Sequence, residues 1–112
     1  KDRLFVFNGN DDDTLLGGKT VIELWTWHHL VFVRDKDAVR VYLDGQLEIE
    51  GQAKMTIPPT VAQVFLGGRN DRFANFEGRI DEAAVYDRAI GQEIVNRLSV
   101  AGEASAQART SR

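Results

Sequence analysis

Apolar and polar positions alternate along this chain in short runs, and their period predicts strands almost to its end. Residues 4–7 are continuously apolar, residues 21–24 are rich in β-branched side chains, and residues 29–33 are apolar on both faces, as in a central strand. "DKDAVRVYLDGQLEIE" then alternates: Val39, Val41 and Leu43 share one face, Asp44-Gly45 supplies a turn, and Leu47 and Ile49 resume the period. Asp-Gly between alternating runs is a hairpin signal, because Gly takes φ > 0 without steric cost and Asp tolerates it. "KMTIPPTVAQVFLGGRN" gives a short strand, a Pro58-Pro59 break that cannot continue a ladder, and a strand at 63–66 ended by Gly67-Gly68.

Helical period enters once, in "RAIGQEIVNRLSVAG", where Ile90, Ile94 and Leu98 recur every four residues. Gly91 can serve as N-cap there, and Glu93 places a negative charge in the first turn, where the helix dipole favours it. Beyond Gly102 the chain is small and polar, so residues 1–102 are expected to form the domain and 103–112 a flexible tail. About seven strands with a single short terminal helix define an all-β class, an antiparallel sandwich or jelly roll, rather than alternating βα units.

Composition narrows the function classes. At 112 residues the chain fits one globular domain, and its net charge of −3 offers no basic stripe for phosphates, so nucleic acid is not an expected partner. There is no cysteine, hence no disulfide framework and no thiolate zinc site. No apolar run approaches the roughly 20 residues that span a bilayer, so membrane insertion is not expected, and the first residues read as a strand rather than a secretion signal.

Four blocks, "WHHLVFVRD", "VRVYLDGQ", "VFLGGRN" and "FEGRIDEAAVYDRAIGQEI", in this order and spacing resemble the laminin G-like, or concanavalin A-like, jelly-roll domains of bacterial surface and secreted proteins over about residues 20 to 100. The resemblance implies that Trp27-His28-His29 opens a strand, that the run from Tyr42 to Gly45 makes the hairpin, and that 76–86 is the strand leading into the closing helix. Gly91 stands where the family more often has Ser. It also implies an extracellular or envelope setting and a binding or adhesion role, since the matched blocks are scaffold. Such domains usually begin with more strands than precede Val21 here. Phe5, Phe7, Val31 and Val33 are then expected to seek cover, through a homodimer or through association with the missing strands.

Asp81 and Glu82 lie side by side in the expected 76–86 strand. Glycoside hydrolysis needs two carboxylates on one side of a cleft, about 5–5.5 Å apart for retention or roughly 6.5–9.5 Å for inversion, and strand neighbours point to opposite faces. Hydrolases of the same jelly-roll superfamily carry an E-x-D-x-E spacing on one strand face, and no such spacing is present here, so no catalytic residue is assigned and a hydrolase is the least favoured role. Calcium takes hard oxygen ligands and is implied by the resemblance at the sandwich rim, which makes Asp81 a metal candidate; otherwise the acids pair with Arg79 or Arg88 or face solvent. "NGNDDDT" at 8–14 lacks the spacing of a calcium loop and reads as a solvated turn. His28 and His29 have no third ligand at metal spacing and read as structural. Trp25 and Trp27 are the side chains best able to stack on a sugar ring, although core packing is the commoner use of large aromatics. The polar loop 67–78 carries Arg69, Asn70, Asp71, Arg72 and Asn75 around Phe73, and a glycan ligand would draw its donors and acceptors from these. The expected function is therefore a non-catalytic, lectin-like carbohydrate-binding module, with protein–protein adhesion or spacing as the alternative.

Overall fold

A computed structural model describes residues 2–7, 15–54, 60, 64–68 and 76–110. The acidic turn at 8–14, the Pro58-Pro59 break and the loop residues 69–75 lie outside the described residues. The chain divides into two compact units, residues 1–55 with 87–112, and residues 56–86.

Among the described residues the first unit holds two antiparallel sheets and one helix, the mostly-β class the strand pattern predicts. Strands β1 (Phe5–Val6) and β2 (Leu16–Gly17) form a short ribbon. Strands β3 (Leu30–Asp35), β4 (Ala38–Leu43) and β5 (Gln46–Gln52) form a three-stranded meander. Its second turn is the Asp-Gly hairpin: Asp44 and Gly45 have φ of 51° and 84°, and two positive central residues match the right-handed twist of the flanking strands. Gly45 is needed for a second reason, because a Cβ there would stand 3.2 Å from the Ser99 hydroxyl. Val41 faces Ile49 while Tyr42 faces Leu47, so Glu48 is the extra residue of a β-bulge.

Alternation gives the meander two faces. Val31, Val33 and Tyr42 point to one side and meet Ile90, Val95 and Leu98, which form the main core cluster. Phe32, Val41 and Ile49 point to the other, toward the β1–β2 ribbon, and Leu16 approaches Gly51 so closely that a Cβ there would lie 2.8 Å from it. Val31 and Val33 thus find their cover in the helix, whereas Phe5 and Phe7 stay exposed.

The helix α1 (Gln92–Thr110) starts as its cap predicts, with the Val95 N–H donating to the Gly91 carbonyl. Two features depart from expectation. The helix is long, running past residue 102 through most of the segment expected to be a flexible tail, because Glu, Ala, Gln and Arg all favour helix. Gly102 does not end it but admits the His29 ring, which would lie 3.2 Å from a Cβ at that position. The buried face is also rotated: Val95 is 0% exposed and Ile94 is 44% exposed, so Val95, Leu98 and Gly102 make the contact face.

Other expected strands do not form. Residues 21–24 are irregular chain running into a turn at Leu24-Trp25, because their backbone is spent on ties outside any ladder, such as the Ile22 N–H donated to the Asp2 carbonyl. In the second unit neither 64–66 nor 76–86 is a strand, and Phe76, Ile80, Val85 and Tyr86 are exposed instead of buried framework. Strand propensity is realised only against a neighbour, and among the described residues no ladder pairs with this segment.

Candidate binding surface

The chain between β2 and β3 is fastened to the β4–β5 hairpin by two carboxylates. At its start, the bulge points Glu48 toward the backbone of Lys19 and Thr20; both N–H groups donate to Oε1, at 2.6 and 2.5 Å, and the Thr20 hydroxyl donates to Oε2 at 2.8 Å. The Thr20 backbone bond, followed by the hydroxyl, holds the Glu48 carboxyl below the usual glutamate range. At its end, Asp44 accepts the His29 N–H at 2.8 Å and pairs with His28 Nδ1 at 2.8 Å, while its own N–H donates to the His29 carbonyl. Gln92 Nε2 donates to the Gly45 carbonyl at 2.9 Å, tying the same hairpin to the helix.

Asp44 thus holds one histidine by its ring and the next by its backbone, which fastens the chain to the hairpin. His28 Nε2 and His29 Nδ1 are buried without a hydrogen-bond partner.

Between the two anchors the chain turns outward. Val21, Leu24 and Trp25 are exposed, and Trp25 is fully so at 101%. It also has φ of 63°, a left-handed conformation that a bulky aromatic rarely adopts. Trp27 is partly buried and has contacts of its own, and neither tryptophan lies in a strand. On the ribbon side of the meander, Leu4, Phe5, Leu30, Phe32, Val41 and Ile49 line a shallow apolar groove. Leu30 and Phe32 belong to β3, an edge strand of the meander, and both are exposed.

Asp81 and Glu82 lie in exposed irregular chain of the second unit. The Glu82 N–H donates to Asp81 Oδ1 at 2.8 Å, and Glu82 has φ of 54°, so strand alternation does not govern where the two acids point. Arg88 contacts Asp87 at 3.1 Å. Among the described residues no three histidine or acidic side chains gather as a metal cluster. Arg69, Asn70, Asp71, Arg72 and Asn75 lie outside the described residues. Neither anchor was legible beforehand. A bulge leaves no mark in alternation, so nothing in the sequence singles out Glu48, and Asp44 carries a turn signal that already explains it.

Residues 3–96 match the laminin G-like family model of the concanavalin A-like lectin/glucanases superfamily, and the chain belongs to that family. Comparison with curated proteins gives no sequence match. Among solved structures the chain is similar to the crystal structure of an S-layer domain-containing protein (residues 221–444) from Clostridium thermocellum ATCC 27405, with a TM-score of 0.60 and 12% identity. The similarity covers 87% of this chain and 63% of that one, and at such identity it speaks for the fold alone.

Proposed function

We propose that this domain is a non-catalytic carbohydrate-binding module, lectin-like, working as part of a larger surface or secreted protein. The observation that carries the reading is the superfamily membership, joined to a fold in which the meander packs the helix on one face and the β1–β2 ribbon on the other. With both faces in use, binding falls to the loops, and the polar residues Arg69, Asn70, Asp71, Arg72 and Asn75 are proposed as glycan donors and acceptors. Calcium belongs to the proposal at Asp81, where backbone carbonyls and water would complete the coordination that the described acids do not. A glycan array with and without chelator tests it: binding to defined glycans supports the lectin, and silence against all of them overturns it. Turnover of a polysaccharide panel by the parent, lost in Asp81→Asn/Glu82→Gln, would overturn the non-catalytic part.

The exposure of Phe5, Leu30 and Phe32 along the apolar groove, with Phe7 exposed as well, favours a second reading, adhesion to another protein or a second copy. Strand β5 carries two acids and a bulge, devices that discourage edge pairing, while β3 presents Leu30, Val31, Phe32 and Val33 before its first charge. Light scattering at micromolar concentration should find a species larger than the monomer, and a compact monomer there would remove the second-copy reading.

A further inference from the structure

We propose that Trp25 is a carbohydrate-stacking platform, an aromatic face that takes the apolar side of one pyranose ring in addition to any contact made by the polar loop; the assignment rests on the carbohydrate-binding reading above. The first support is the conjunction of exposure and strain. Trp25 is fully exposed at 101% and sits at φ of 63°. A large aromatic gains by burial and loses by a left-handed backbone, so local energetics oppose this arrangement twice. Strained residues persist where the surroundings over-determine them, and they cluster at ligand-binding positions.

The surroundings here do over-determine it. Glu48 holds Lys19 and Thr20, Asp2 accepts from Ile22, and Asp44 holds His28 and His29, so the turn is fastened on both sides. The Thr26 hydroxyl donates to the Leu24 carbonyl at 3.3 Å across the turn itself. A ring presented on a fastened turn surrenders little freedom on binding, which matters most for a ligand that offers only one small contact.

The neighbourhood selects the ligand class. A membrane-seeking tip would carry basic residues beside its aromatic, whereas this one carries Glu23 in a chain of net charge −3. A pyranose needs one open aromatic face for its C–H side, with hydroxyls left to water and nearby polar groups.

The test follows intrinsic tryptophan emission, isothermal titration and melting temperature for the parent, Trp25→Ala, Trp25→Phe and Trp25→Gly, titrated with cello-, chito- and manno-oligosaccharides. The parent should bind at least one series with a change in emission. Trp25→Ala should weaken that binding about ten-fold, the scale of one lost aromatic contact, and Trp25→Phe should fall between them. Trp25→Gly should lose binding yet melt no lower than the parent, since glycine takes φ > 0 without penalty. Parent and Trp25→Ala binding equally would overturn the platform and leave the carbohydrate reading standing. No binding by the parent to any series or to the array would overturn both. A Trp25→Gly protein melting well below the parent would show that Trp25 serves the fold. Partition onto phosphatidylcholine vesicles, abolished in Trp25→Ala and unaccompanied by sugar binding, would also overturn the proposal and give the tip to lipid.

Discussion

Val95→Ala is the sharpest perturbation of this fold, because Val95 is 0% exposed and joins the helix to Val33, Tyr42 and Ile90. The substitution removes two carbon groups, worth about 0.8 kcal/mol each when buried. The space left behind adds a cavity cost that depends on how far the site collapses. Alanine returns part of this as a better helix former, up to about 0.5 kcal/mol. The net loss should be about 2 kcal/mol, a large share of the roughly 5–15 kcal/mol that small domains possess. For a domain near this size each kcal/mol moves the melting point by about 4–8 °C, so a fall of about 8–16 °C is expected. Ile94→Ala is the matched control: its side chain is already 44% exposed, and the helix-propensity gain should bring the change close to zero. Thermal melts followed by far-UV circular dichroism, with urea titration as a second measure, compare the two. A Val95→Ala protein melting within about 3 °C of the parent, or an Ile94→Ala protein falling further, would refute the docked face described here and return the helix to the face marked by Ile90, Ile94 and Leu98.

Three further outcomes are expected. Glu48 has a folded pKa below its unfolded value of about 4.3, so its contribution is present above that pH and is lost as pH falls through the lower folded value; Glu48→Gln should melt below the parent at pH 7 and converge with it in acid, and a constant gap at both pH values would contradict the clamp. Asp44→Ala removes an acceptor shared by His28 and His29 and should cost about 1–3 kcal/mol, with Asp44→Asn less damaging because Asn tolerates the same turn; equal melting of all three proteins would remove the second anchor. If calcium binds through Asp81, saturating metal should raise the melting temperature, by about 2.7 kcal/mol of stability at a hundred times Kd, and Asp81→Asn should lose the response; identical melts of the parent in calcium and in chelator would exclude the ion.

What was legible in the sequence was what local chemistry decides. The Asp44-Gly45 turn, the Gly91 cap and the alternation through Val39, Val41 and Leu43 each depend on a residue's own conformational preference or on period, and each is found where expected. The features that fasten the chain between β2 and β3 depend instead on distant partners. Glu48 matters because a bulge aims it at a backbone 28 residues away, and no periodicity records that. Residues 21–24 have strand composition, yet their backbone serves the Asp2 tie and the turn at Trp25, and composition alone does not say which use prevails. The segment 76–86 makes the point from the other side: Phe76, Ile80, Val85 and Tyr86 carry the apolar content of a framework strand, but without a ladder partner among the described residues they remain in water. Side chains that want cover and side chains that seek a ligand look alike by exposure. Backbone conformation distinguishes Trp25 from the other exposed aromatics. Phe5, Phe7 and Phe32 are exposed without positive φ, so their exposure needs only a missing neighbour to explain it. Trp25 is exposed on a backbone that works against it and is fastened on both flanks, and a missing neighbour accounts for neither.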